Sequence, residues 1–247
     1  LQRYDGSEAF RFEAGRGFWI TSTEELTFEA SVPAVELQGD SATTIDLREG
    51  TWNVISNPLG EDVAWSAVES ATGRDLQPLI AFSGSFELAE TFGSATDGEA
   101  YYFYNEEKGP DSLVVPHPGT RETGQPTSVQ LAAKDTSPEK TTESPALTLS
   151  ASVGKRPAST VSVGLVEPEA GEESVIAPPG RFEAVSLRIV APEAEARRAG
   201  RLMAATRAPA GGGEGHTFRL RLTSRAEGPV ELSAEGLQEA GIQEARL

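Results

Sequence analysis

Two histidines, three adjacent carboxylate pairs and a concentration of aromatic rings are the residues of this chain with the chemistry to act on something. His117 stands between prolines in VPHPG, and His216 directly follows GGGEG. An imidazole serves as a general base when a nucleophile and an orienting acid face it, and neither histidine lies in a G-x-S-x-G context. A Ser-His-Asp site can assemble from distant segments, but both histidines read as exposed loop residues. Glu24-Glu25, Glu106-Glu107 and Glu172-Glu173 have the residue type for glycoside hydrolysis. Among 38 acidic residues such pairs arise by chance, and their positions near turns make them solvated charges. No D-x-D-x-D-G calcium loop occurs. The looser groups Gly60-Glu61-Asp62 and Asp97-Gly98-Glu99 are accounted for by turn chemistry. The sequence therefore assigns no catalytic residue, no metal site and no cofactor, and the expectation is that the chain is not an enzyme.

The aromatic residues Trp19, Trp52, Trp65, Tyr101, Tyr102 and Tyr104 all fall in the first half of the chain. Flat rings on a sheet can stack on sugar rings, which makes glycan contact the sharper reading. The plainer one is core packing, because one face of an alternating strand is buried. Trp52 and Trp65 are expected in the core. Neighbours along Tyr101–Tyr104 point to opposite faces, so either Tyr101 or Tyr102 should be exposed. Trp19, Tyr101 and Tyr102 are the candidate ligand-binding residues, with core packing the preferred account of the group.

The elements that must position these rings are strands. Ile45 and Leu47 alternate with polar neighbours, Glu49-Gly50 offers a turn, and Trp52 and Val54 resume the alternation, which predicts a hairpin. Val161, Val163 and Leu165, then Val185, Leu187 and Ile189, repeat the pattern. Phe218, Leu220 and Leu222, interleaved with Arg219, Arg221 and Thr223, show it most clearly. Glu193–Ala205 has helix-forming composition split by Gly200, and reads as a short helical turn or loop followed by a strand. Thr120–Thr127 and Lys134–Pro145 read as a linker and a long loop, and Gly211–Gly215 as a hairpin tip. The predicted fold is all-β: two antiparallel β-sandwich-like domains, 1–119 and 120–247, with little helix.

At 247 residues the chain can bury two cores, with no cysteine and no apolar run long enough for a membrane-spanning helix. It begins at Leu1 rather than Met, which suggests a mature product or a fragment. The formal net charge is −17, and only four of the 21 basic residues are lysine. Such a surface repels nucleic acid and anionic membrane. It also suits high salt, and predicts a halophilic protein more stable in molar salt than in dilute buffer. By the same argument the chain should be a monomer in dilute buffer and self-associate, or capture a partner strand, as salt rises.

The first domain contains an echo of itself. Tyr4–Ile20 and Phe82–Asn105 both run from aromatic-x-Gly-Ser through a strand to an aromatic cluster, Phe18-Trp19-Ile20 in one and Tyr101-Tyr102-Phe103 in the other. The first domain thus begins inside one repeat, and Gly6–Ile20 should complete a sheet with strands from the Thr43–Val68 region. Between the two echoes, IDLREGTWNVISNPLGEDVAWSAV (Ile45–Val68) resembles the "GWNLIGNP…V.W" segment of exported multidomain proteins from bacteria that use type IX secretion. There it precedes a "GYW.YN" strand, matched here by Ala100–Asn105. In the second domain, Val163–Gly180, Leu202–Arg207 and His216–Ser224 follow the order of a β-domain in the same proteins. The sequence departs from that pattern where the family carries an Asp-rich turn before Pro-Pro and a Trp at Thr217-Phe218. The resemblance implies an extracellular or cell-surface location and a non-enzymatic structural or display role. The implied partners are other domains of the same polypeptide or cell-surface proteins. Glycan binding by exposed aromatics, or an accessory role beside a secreted hydrolase, are the alternatives.

Overall fold

The computed structural model describes residues 13–19, 35, 41–118, 146–166, 171–180, 182–191, 201–208 and 216–236. Several expectations lie outside these residues: Thr120–Thr127, Lys134–Pro145, Gly211–Gly215, Glu24-Glu25, the start of the Tyr4–Ile20 echo, and 193–200. The chain divides into two compact units, 1–82 with 87–122, and 83–86 with 123–247. Both are built from β-strands, and one short α-helix stands among the described residues.

The first unit contains β1 (Ala42–Asp46), β2 (Thr51–Ile55), β3 (Val63–Ala64), β4 (Leu79–Phe82), β5 (Phe86–Ala89), β6 (Thr91–Phe92), β7 (Tyr101–Asn105) and β8 (Ser112–Pro116). They form three sheets, β1-β8, β2-β7-β4-β5 and β3-β6. The hairpin expected across Glu49-Gly50 does not form. A turn occurs there, but β1 pairs with β8 from Ala42↔Pro116 to Asp46↔Ser112, and β2 pairs with β7 from Thr51↔Asn105 to Ile55↔Tyr101. Asn53 gives the physical reason. Its carboxamide accepts from Arg48 N–H (2.9 Å) and donates to Arg48 C=O (3.0 Å), occupying backbone groups that a hairpin ladder would need. The chain therefore arches from one sheet into another, and Ile45, Leu113 and Val115 join Ile55, Tyr101 and Phe103 in a single core.

Helix α1 (Trp65–Thr72) interrupts a region expected to be strand. Trp65 and Val68, three residues apart, share its buried face and enter the same core. Its first N–H groups lack a side-chain cap, and Trp65 N–H instead donates to Glu90 C=O at 2.8 Å. Gly73 ends the helix in the left-handed region at φ 70°, returning its N–H to Glu69 C=O (2.9 Å). Thr72 Oγ1 then accepts from Val114 N–H at 3.0 Å, fastening the helix to β8.

The second unit comprises β9 (Ala146–Val153), β10 (Ser159–Leu165), β11 (Ser174–Ile176), β12 (Val185–Val190), β13 (Arg201–Arg207), β14 (Leu220–Ser224) and β15 (Val230–Glu235). They make one sheet, in the order β14-β12-β13-β10-β9-β15 with β11 also on β13, curled into a half-barrel. All pairings are antiparallel except β10–β13. Its core is aliphatic: Val153, Val161, Val163, Val185, Leu187, Ile189 and Leu202 with small alanines between. The strands on either side of Gly211–Gly215 do not pair with each other, because β13 and β14 flank β12. The expected alternation at Leu220 and Leu222 is present as a strand, but every residue of β14 is exposed.

Candidate functional site

The aromatic residues converge on the sheet β2-β7-β4-β5, and its pleat divides them between two faces. On β7, Tyr101, Phe103 and Asn105 point one way, and Tyr102 and Tyr104 the other. The register places Trp52 opposite Tyr104 and Val54 opposite Tyr102, so these four share the face away from the core. Ile80, opposite Tyr102 on β4, joins them.

The core face buries Trp65, Phe92, Tyr101 and Phe103. Trp65 lies edge-on to Phe92 (6.0 Å between centroids) and tilted on Phe103 (5.6 Å), and Phe92 meets Tyr101 at 5.4 Å. Tyr101 keeps its hydroxyl engaged, accepting from Gly93 N–H (3.0 Å) and donating to the Glu99 carboxylate. Burial, then the hydrogen bond to Glu99, pushes its phenol up to about 12.

The outer face is covered by a segment from the chain's beginning. Arg16 bridges Ile55, Gly17 N–H donates to Val54 C=O (3.0 Å), and Ser56 N–H donates to Gly15 C=O (3.1 Å). These described residues thus add to the sheet beside β2. A Cβ on Gly17 would stand 2.8 Å from the Ala100 Cβ and 3.0 Å from Ile55 C=O, so only glycine lets the segment lie this close. Trp19 is delivered onto Tyr102, stacked at 6.1 Å with rings 15° apart, and edge-on to Phe82 at 5.5 Å. Trp52 closes the other side of Tyr102 (6.2 Å, edge-on) and leans on Tyr104 at 5.3 Å.

This arrangement corrects the expectation that Tyr101 or Tyr102 would be exposed. Their accessibilities are 3% and 5%, because the sheet has a covered face on both sides at this point. Burial raises the Tyr102 phenol above its ordinary value. Trp52, expected in the core, is instead half-buried on the outer face beside half-buried Tyr104. Trp19 is also half-buried, but its indole N–H is enclosed with no hydrogen-bond partner among the described residues. The half-buried rings on this face, with surface to offer a ligand, are therefore Trp52 and Tyr104, together with Trp19. Register was the missing signal: residues 52 and 104 become neighbours only when β2 and β7 pair.

Polar side chains at the end of this core hold loops together. Asn57 donates to Phe92 C=O (2.8 Å) and Glu61 C=O (2.9 Å), while its Oδ1 accepts from Leu59 N–H (2.9 Å), closing an Asx turn over Pro58. Asp62 accepts from Ser94 N–H (2.8 Å), and Ser94 Oγ caps the following 3-10 turn, Ala95–Asp97, through Thr96 N–H (3.1 Å). The turns around Glu61-Asp62 and Asp97-Glu99 thus meet as structural neighbours. Among the described residues no group of three or more His, Asp or Glu side chains converges as metal ligands would.

The other residues of interest are dispersed. His117 lies in the first unit, where its N–H extends the β1–β8 pairing to Ser41 C=O (2.8 Å). His216 lies in the second, its ring 4.8 Å from that of Phe218. Glu106 accepts from Gln77 (2.9 Å), and Glu172 sits 3.7 Å from Arg207 and accepts from Ala208 N–H (3.2 Å).

One group in the second unit was not foreseen. Beyond Ile189↔Leu202 the pairing of β12 with β13 ends, and Leu187 N–H donates to Ser159 Oγ (3.0 Å). Ser159 Oγ also accepts from Arg188 (3.0 Å) and donates to the Glu183 carboxylate (3.1 Å), with which Arg188 pairs as well. All three residues are buried. The signal in sequence was weak: Arg188 merely occupies the polar position between Leu187 and Ile189.

No protein-family model matches the chain, and neither a curated protein nor a solved structure matches it.

Proposed function

We propose that this chain is a non-enzymatic structural or display module of a secreted or cell-surface multidomain protein. One observation carries the reading: in the motif-like segment Ile45–Val68, the distinctive residues are engaged in holding the fold. Asn53 fixes the arch between β1 and β2, and Asn57 fixes the loop that follows β2. Trp65 fills the core from the helix. The resemblance of this segment to modules exported by type IX secretion therefore rests on residues that specify architecture. A module of this kind acts through its shape, as a spacer or platform for other domains of its polypeptide.

The test replaces this chain, within its parent polypeptide, by an unrelated β-domain pair of similar length. Export, surface display and the activity of neighbouring domains should persist. Loss of a ligand-binding or catalytic activity that returns only with the original chain would overturn the reading.

A second reading is favoured by the half-buried pair Trp52 and Tyr104, adjacent on one sheet face at 5.3 Å. Such a pair offers a small platform for a sugar ring. A glycan array distinguishes the readings: reproducible binding, abolished by Trp52→Ala or Tyr104→Ala, would establish carbohydrate recognition.

A further inference from the structure

The sheet of the second unit ends in two strands that are open in the same unusual way. Among the described residues β14 pairs only with β12, and β15 only with β9. Among the described residues each therefore has one row of backbone donors and acceptors without a strand partner, the template on which another strand adds. The side chains are open as well. Leu220 and Leu222 stand opposite Ile189 and Leu187, and Leu232 stands opposite Ala151, all three partners being buried in the core. The leucines thus point to the core side of the sheet, yet remain 36%, 41% and 48% exposed.

These edges cannot satisfy one another within a chain. Following the pairings from β14 through β12, β13, β10 and β9 to β15 makes β14 and β15 run in the same direction. Only residues 225–229 separate them. Adjacent parallel strands need a crossover of about a dozen residues or more, so this connection cannot bring the two open rows together.

The charges select what does fit. On the face opposite the leucines, β14 and its approach carry Arg219 and Arg221, and β15 carries Glu231 and Glu235, all exposed. Pairing β14 with a second β14 sets arginines against arginines, and pairing β15 with β15 sets glutamates against glutamates, both destabilising. Pairing β14 with β15 sets arginine against glutamate. Because β14 and β15 run in the same direction on opposite edges, a copy that keeps its leucines on the same face brings its β15 alongside β14 in parallel. A parallel register with Leu220 beside Leu232 places Leu222 beside Ala234 and Arg219 beside Glu231. Arg221 then lies diagonally between Glu231 and Glu235. Apolar residues meet on one face and opposite charges on the other.

We infer that the second unit binds a second copy of this chain head to tail, the β14 edge of one copy receiving the β15 edge of the next. The interface is heterologous, so each added copy leaves a β14 and a β15 edge free and assembly continues beyond a dimer. A contact one strand wide lies at the small, weak end of protein interfaces. The association is therefore read at high protein concentration.

Sedimentation velocity of the full chain over a concentration series, at about 0.15 M salt where surface charges beyond about 8 Å are screened, tests this. The wild type should grow past a dimer as concentration rises. Arg219→Glu with Arg221→Glu, and separately Glu231→Arg with Glu235→Arg, should each weaken self-association by roughly tenfold or more. An equimolar mixture of the two variants should restore it, because the altered β14 of one then meets the altered β15 of the other with opposite charge, and the two unaltered edges pair as in the wild type. The glutamate-to-arginine variant is decisive against a net-charge explanation: it is less negative, so repulsion alone would make it associate more strongly. Circular dichroism and a melting curve check that both variants, altered only at exposed positions, remain folded. A wild type that stays monomeric, variants that associate as the wild type does, a mixture that stays apart, or growth that stops at a dimer would each overturn the inference.

Discussion

Strands β12 and β14 lie side by side and carry the same pattern of leucine or isoleucine alternating with polar residues, yet their environments are opposite. Leu187 and Ile189 are sealed in the core, while their cross-strand neighbours Leu222 and Leu220 are open. β7 in the first unit shows the reverse case. Tyr102 belongs to the face away from the core and is buried all the same, because Trp19 and Trp52 lie over it. Alternation fixes the side on which a residue points. Whether anything covers that side depends on how far a sheet curls and which distant segment is laid on it.

The comparison breaks most visibly at the fully covered positions. Phe103→Ala should lower stability by about 3–5 kcal/mol, and Leu187→Ala by about 2–5 kcal/mol, in urea unfolding of the full chain. Losses below about 1 kcal/mol would mean that these cores are not packed as described.

Glu183→Ala should cost about 3–5 kcal/mol, because it leaves the Arg188 guanidinium buried without its carboxylate. The double change Glu183→Leu with Arg188→Met should recover most of that loss. A double variant as unstable as the single one would show that the ion pair is more than a self-compensating pair of charges.

Asn57→Ala should cost about 1–3 kcal/mol by stranding the carbonyl groups of Phe92 and Glu61 and the N–H of Leu59. An effect near zero would remove the structural account of the Asn-Pro motif.

A smaller effect concerns pH. The ordinary tyrosine value is near 10, and the folded Tyr101 value lies at about 12. The fold therefore favours the neutral phenol. The resulting stability is fully present below pH 10 and is lost as pH rises through 12. Comparing wild type with Tyr101→Phe by alkaline unfolding isolates this contribution, since Tyr102 titrates in both. Equal pH dependence of the two proteins would contradict the burial of Tyr101.

The smallest change is expected at the open edge. Leu222→Ser should alter the stability of the monomer by less than about 0.5 kcal/mol. A loss comparable to that of Leu187→Ala would mean that β14 is covered in solution.

Strand positions were largely legible from the order of residues alone, because a period of two is local. Ile45, Trp52, Val161, Leu187 and Leu222 all fall in strands where alternation placed them. The excess of carboxylates, the scarcity of lysine and the clustering of aromatics in the first half are likewise properties of the sequence. Tertiary structure decided the partners. The arch at Glu49-Gly50 exists because Asn53 takes backbone groups of Arg48 and because β7 and β8 offer separate ladders to β2 and β1. Helix α1 exists because Trp65 and Val68 fill the same core from one turn of helix. The half-buried state of Trp52 and Tyr104, burial of Tyr101 and Tyr102, and the open edges β14 and β15 all depend on contacts between residues far apart in the chain. Nearest-neighbour preferences set the pleat, but no local preference records what comes to rest against it.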